Sequence, residues 1–171
     1  MTYPASGKLA AIQRVTQRAV ADRLVQLAAD KDASPEVRAI AEYEVVQQGN
    51  LDRPEAWMNL GNLRALRGDA VAAEAAYREA LKRDVRFVPA YVNLADLKRE
   101  QQRDADAEAV LREGLRVAPD AAALHEALGL TLVRQGKKGA ALAEFAAAWK
   151  SAPTEPRYAY LQALALHDAG R

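Results

Sequence analysis

The stretch Ala56-Trp57-Met58-Asn59-Leu60-Gly61-Asn62, within the segment Pro54 to Phe87, decides the fold. A turn at Gly68-Asp69 follows it, then a second apolar run of Ala73, Tyr77, Ala80 and Leu81. Moving the frame on by 34 residues brings the pattern back. Trp57 becomes Tyr91 and then His125; Leu60 becomes Leu94 and Leu128; Gly61 becomes Ala95 and Gly129. In the second run Ala73 becomes Ala107 and Ala141, Tyr77 becomes Leu111 and Phe145, and Ala80 becomes Gly114 and Ala148. A period held over three copies marks a stacked array, in which each unit buries its apolar face on its neighbours.

Working outward, the apolar spacing predicts paired helices over 54–67 and 70–83, 88–102 and 104–117, and 121–135 and 138–151. Gly68 and Gly136 can take the left-handed conformation that closes a helix. Gln102 stands at the equivalent place, so that turn should be strained or slightly longer. Pro119 and Pro153 end the second helices, with Val85 in their place in the first unit, and Asp120 is positioned to cap the helix that follows. Upstream, after a flexible 1–7, residues 8–49 read as a helical hairpin. Ser34-Pro35-Glu36 starts its second helix and Gly49 stops it. That helix is in phase, with Ala39, Tyr43 and Val46 preceding Ala73, Tyr77 and Ala80 by one period. The first is not, since Arg23 and Gln26 fall where Trp57 and Leu60 would be. It is a degenerate or capping hairpin. Downstream, 156–171 reads as one more first helix, either a cap or the start of a further unit, with Gln162 at the Leu60 position and Gly170 in the turn phase. The class is all-α, with about nine helices.

The repeat resembles the tetratricopeptide repeat. An aromatic is followed three and four residues on by Leu-Gly, then come a Gly-containing turn, Ala-x3-aromatic-x2-Ala, and Pro. The resemblance covers 54–155 as three repeats, 54–87, 88–121 and 122–155. His125, Leu111, Ala95, Gly114 and Val85 depart mildly from its pattern. It implies a right-handed superhelical α-solenoid whose concave face is lined by first helices. Gly61, Ala95 and Gly129 should let the two backbones of a hairpin approach. Trp57, Tyr77, Tyr91 and Phe145 should fill the space between successive hairpins, and Trp149 should lie in the core. His125 is expected to pack where Trp57 and Tyr91 do.

Composition removes several functions. Basic and acidic residues number 24 and 23, so no net field draws the chain to nucleic acid or an anionic surface. There is no Cys, which excludes disulfides and thiolate metal sites and fits the cytoplasm without excluding the periplasm. His125 and His167 are too far apart to hold a metal from one helix face. No apolar run approaches the roughly 20 residues of a membrane span. No nucleophile–base set, phosphate loop or cofactor motif is present, so the chain is expected to be no enzyme and to need no cofactor.

The inner groove is the candidate site. Met58, Asn59 and Asn62, flanked by Ala65 and Leu66, should line it in the first unit. Val92, Asn93, Asp96 and Arg99, with Glu100, follow in the second, and Glu126, Leu130 and Arg134 in the third. Asn59 and Asn93 are one period apart, and an amide can satisfy a peptide group in both directions. The pair looks like the asparagine ladder of the superhelix in O-linked N-acetylglucosamine transferases, shortened to two rungs because Ala127 ends it. The carboxylate clamp of related repeats needs cations where this chain has Ala123 and Ala127, and so is rejected. The reading is a non-catalytic protein-interaction scaffold holding a peptide or helix of a protein partner. Its alternatives are self-assembly into a homo-oligomer through apolar residues of the last helix (Leu161, Leu164, Leu166), or an accessory role beside a catalytic domain.

Overall fold

The computed structural model describes Ser34 and residues 52–168. Backbone contacts divide the chain into Met1–Asp52 and Arg53–Arg171. The expected hairpin over 8–49 lies outside the described residues. The second unit is helical throughout: α1 (Pro54–Leu66), α2 (Ala70–Arg83), α3 (Val88–Glu100), α4 (Asp104–Val117), α5 (Ala122–Arg134), α6 (Lys138–Ser151) and α7 (Pro156–Asp168). Corresponding helices start and stop 34 residues apart. These account for seven of the nine expected helices.

The turns repeat bond for bond. Gly68 donates to Ala65 O at 2.8 Å and Asp69 to Arg64 O at 3.0 Å. Gln102 to Arg99 O and Arg103 to Lys98 O, both at 2.9 Å, close the second hairpin, and Gly136 and Lys137 close the third in the same way. The closing residue is left-handed each time, with φ of 78° at Gly68, 60° at Gln102 and 75° at Gly136. Gln102 therefore adopts the strained form of the turn, with no added residue. Start signals are less uniform. Asp69 caps α2 by accepting from Ala72 N at 3.0 Å. Asp120 does not cap α5: that helix begins one residue later than expected, and its N-cap is Ala121, which has no side-chain acceptor. Pro89, at the second position of α3, sets the backbone there without needing an amide.

Each hairpin closes around a size-matched pair. A Cβ on Gly61 would lie 2.5 Å from the Tyr77 ring, and one on Gly129 would lie 2.5 Å from the Phe145 ring. These two aromatics thus fill the inside of their own hairpins, rather than the gap between hairpins. The middle hairpin has Ala95 where the others have Gly, and Leu111 where they have an aromatic, and both are fully buried. One extra carbon on α3 is balanced by a smaller side chain on α4. Where the middle hairpin meets the third, the small residue lies on the second helix. Gly114 on α4 lets Tyr91 of α3 and Leu124 of α5 approach to 3.0 Å of its Cβ position. Leu94, Leu128 and Leu132 complete a core that runs without a break from Ala73 to Phe145.

Polar tips anchor the connecting loops by the same period. The Tyr91 hydroxyl donates to Val85 O at 3.1 Å. His125, one repeat on, places Nε2 2.8 Å from Pro119 O and Nδ1 2.7 Å from a Glu144 carboxylate oxygen. His125 thus occupies the aromatic position while adding a second hydrogen bond, to Glu144 of α6. Trp149 is 43% exposed, on the outward side of α6, and is not core. Lys98 is only 3% exposed, and its ammonium pairs with Glu74 of α2.

Candidate functional site

The first helices form a continuous seam. α1 approaches α3, and α3 approaches α5, whereas the second helices make no comparable approaches to one another. A stack whose first helices lie closer together than its second helices curves toward the first. The groove side of the unit is therefore the face carried by α1, α3 and α5.

A hollow of about 310 Å³ opens on this face between α1 and α3. Its apolar wall is Ala65, Leu66 and Leu97; its polar wall is Asn62, Tyr77, Asn93, Asp96 and Glu100. Leu66 is 84% exposed, an unusual state for a leucine. The floor is a hydrogen-bonded knot. Asn62 Oδ1 accepts from the Tyr77 hydroxyl and from Asn93 Nδ2, both at 2.9 Å. This saturates one end of the Asn62 amide. The Asn62 NH2 and the Asn93 Oδ1 have no partner among the described residues, so one donor and one acceptor are left for a ligand. The Tyr77 hydroxyl is pushed up to about 12 by burial first, then by the negative charges of Glu100 and Asp96. It stays protonated at neutral pH and serves as a fixed donor.

The residues expected at the groove divide into three sets. Asn62, Asn93 and Asp96 surround the hollow, together with Ala65, Leu66 and Glu100. Asn93 is bonded across the seam to Asn62, not aligned in a ladder with Asn59, which is exposed on α1. Met58 and Val92 are half-buried and pack on the core. The charged members are already paired. Arg99 binds Asp96; Arg134 Nε donates to Asp104 Oδ1 at 2.9 Å and reaches Arg99 O; Glu126 accepts from Arg157 of α7 at 2.5 Å. Leu130 is partly exposed. The Arg134 and Arg157 pairs stitch successive hairpins together.

Two lining residues escape a reading by period alone. Leu97 recurs only as Leu63, outside the quoted motif, and becomes Thr131 in the third unit. Tyr77 reads as core because the later equivalents are Leu111 and Phe145; the signal is its hydroxyl, which both of those lack and which needs a partner when buried.

Among the described residues no helix is long and apolar enough to cross a membrane. The tetratricopeptide repeat model matches residues 31–86, 92–156 and 127–171. No curated protein sequence matches the chain. Solved structures share the fold. A structure of MamA superposes with a TM-score of 0.62 at 19% identity, covering 79% of each chain. MamA from residue 41 to its end, from Desulfovibrio magneticus RS-1, gives 0.60 at 17% identity, covering 90% of this chain and 83% of the other. TTC0263, a thermophilic tetratricopeptide repeat protein of Thermus thermophilus, gives 0.65 at 21% identity, covering 75% of this chain and 72% of the other.

Proposed function

The chain belongs to the tetratricopeptide repeat family, and we propose that it is a non-catalytic scaffold that holds an extended segment of a partner protein across α1 and α3. The observation that carries this reading is the amide knot beside an open hollow. One unpartnered donor and one unpartnered acceptor, on neighbouring helices, complement the two faces of a peptide group. The exposed Leu66 beside them supplies apolar contact for a side chain of the same segment.

The test is selection of displayed random peptides on the whole chain, followed by rebinding to an Ala65→Trp variant. The indole fills the hollow while leaving every residue of the knot in place. Enriched peptides that lose binding to the variant, while its helical circular dichroism is unchanged, support the reading. Peptides indifferent to the substitution overturn it.

A second reading, self-association through α7, draws on a different observation. Tyr160 is 66% exposed and Leu164 45%, while Leu161 and Ala165 pack inward. Sedimentation at rising concentration, compared between wild type and Tyr160→Ser with Leu164→Ser, tests it. A wild type that stays monomeric throughout removes it.

A further inference from the structure

We propose that the hollow between α1 and α3 selects a basic side chain, Lys or Arg, of the extended peptide held there. This deepens the groove reading above and rests on it.

The hollow is at the lower end of the ~300–1,000 Å³ range of ligand sites, a size for one long side chain. Its two walls differ in kind. Ala65, Leu66 and Leu97 offer apolar contact along one side, which suits the methylene stem of Lys or Arg. At the far end Asp96 and Glu100 stand one turn apart on α3, and none of the lining residues is a cation. Asp96 is answered by Arg99, whereas Glu100 makes no ion pair or hydrogen bond among the described residues. A cation placed in the hollow would pair with Glu100, the carboxylate that Arg99 does not answer. The Tyr77 hydroxyl, already held by Asn62, feels the same negative end. The amides of Asn62 and Asn93 line the same hollow and offer hydrogen bonds to the inserted residue. The same hollow is hostile to an acidic side chain, which would meet Glu100 with no cation to offset it.

The test uses a set of fluorescein-labelled pentapeptides, identical except for a central Arg, Lys, citrulline, norleucine or Glu. Each is titrated by anisotropy against the whole chain, against Glu100→Lys and against Ala65→Trp. Free agmatine serves as a competitor. The expected result is tightest binding for Arg and Lys, about tenfold weaker binding for citrulline, and none for Glu. Affinity should fall as salt rises. Glu100→Lys should reverse the order in favour of Glu, and Ala65→Trp should abolish all binding. Equal binding of every peptide, sensitive to Ala65→Trp, overturns the charge selection and leaves the groove standing. Binding of none overturns both. Agmatine competing as well as the Arg peptide shows a small-cation site and overturns the assignment to a peptide.

Discussion

Gly129→Ala together with Phe145→Leu tests the size-matching that closes each hairpin. A Cβ on Gly129 would lie 2.5, 2.8 and 2.9 Å from three atoms of the Phe145 ring. Carbon atoms rest at about 3.5–4.0 Å, so the methyl intrudes by about 1 Å on three atoms at once. Phe145 is buried, so its ring must displace core neighbours to withdraw. Overpacking of this kind costs roughly 1–3 kcal/mol, and alanine regains up to about 1 kcal/mol through its helix propensity. The single change should therefore destabilise by about 1–2 kcal/mol. Phe145→Leu alone leaves a void and should cost about 1–2 kcal/mol. The middle hairpin shows what the double variant should look like, because Ala95 and Leu111 are fully buried together there. Combined, the two changes should sit within about 1 kcal/mol of wild type, a coupling of roughly 2 kcal/mol. Urea unfolding followed by far-UV circular dichroism on all four proteins measures it. Additive losses would refute the pairing and mean that each position answers to its other neighbours.

Gln102→Gly should raise stability by about 1 kcal/mol in thermal unfolding, since a side chain at φ 60° carries a cost that glycine does not. An unchanged midpoint would show that the turn is held without strain. Glu74 is held below its ordinary 4.5, chiefly by the hydrogen bond from Lys98, so this pair contributes fully above that value and is lost as pH falls through the depressed one. Glu74→Gln should cost roughly 1–3 kcal/mol near neutrality, short of a wholly buried pair because Glu74 keeps a face to solvent. The deficit should shrink as the pH is taken from about 7 to about 3, and an equal deficit at both ends would contradict the assignment.

Most of the architecture was legible because it is periodic. Packing demands that recur every 34 residues leave recurring letters, and Gln102 betrayed its turn by standing where glycine stands elsewhere. The parts that escaped are those that break the period. Asp120 is acidic and well placed, yet α5 begins one residue later, so Ala121 takes the capping position. Trp149 stands one period after Leu115 and two after Leu81, which pack against the core, yet it is 43% exposed and faces outward. At the site, matching Asn59 to Asn93 followed the repeat, while the bond that forms joins Asn93 to Asn62, an offset of 31 residues. Contacts between first helices run diagonally, so a side chain meets the residue one turn beyond its own equivalent. Arg157 of α7 with Glu126 of α5 has the same offset of 31. Same-phase reading finds what is repeated, and a diagonal reading is needed for what touches.

The seam of first helices has a mechanical consequence. Because α1, α3 and α5 press on one another while the second helices stand apart, the stack has a stiff inner edge and a compliant outer one. Bending turns about the seam, and each joint adds its own small angle to the next. The amide knot sits on one of these joints. A segment clamped there, as proposed above, would lock the angle between two hairpins. On the proposed function, occupancy at one place would be converted into the direction in which the rest of the array points.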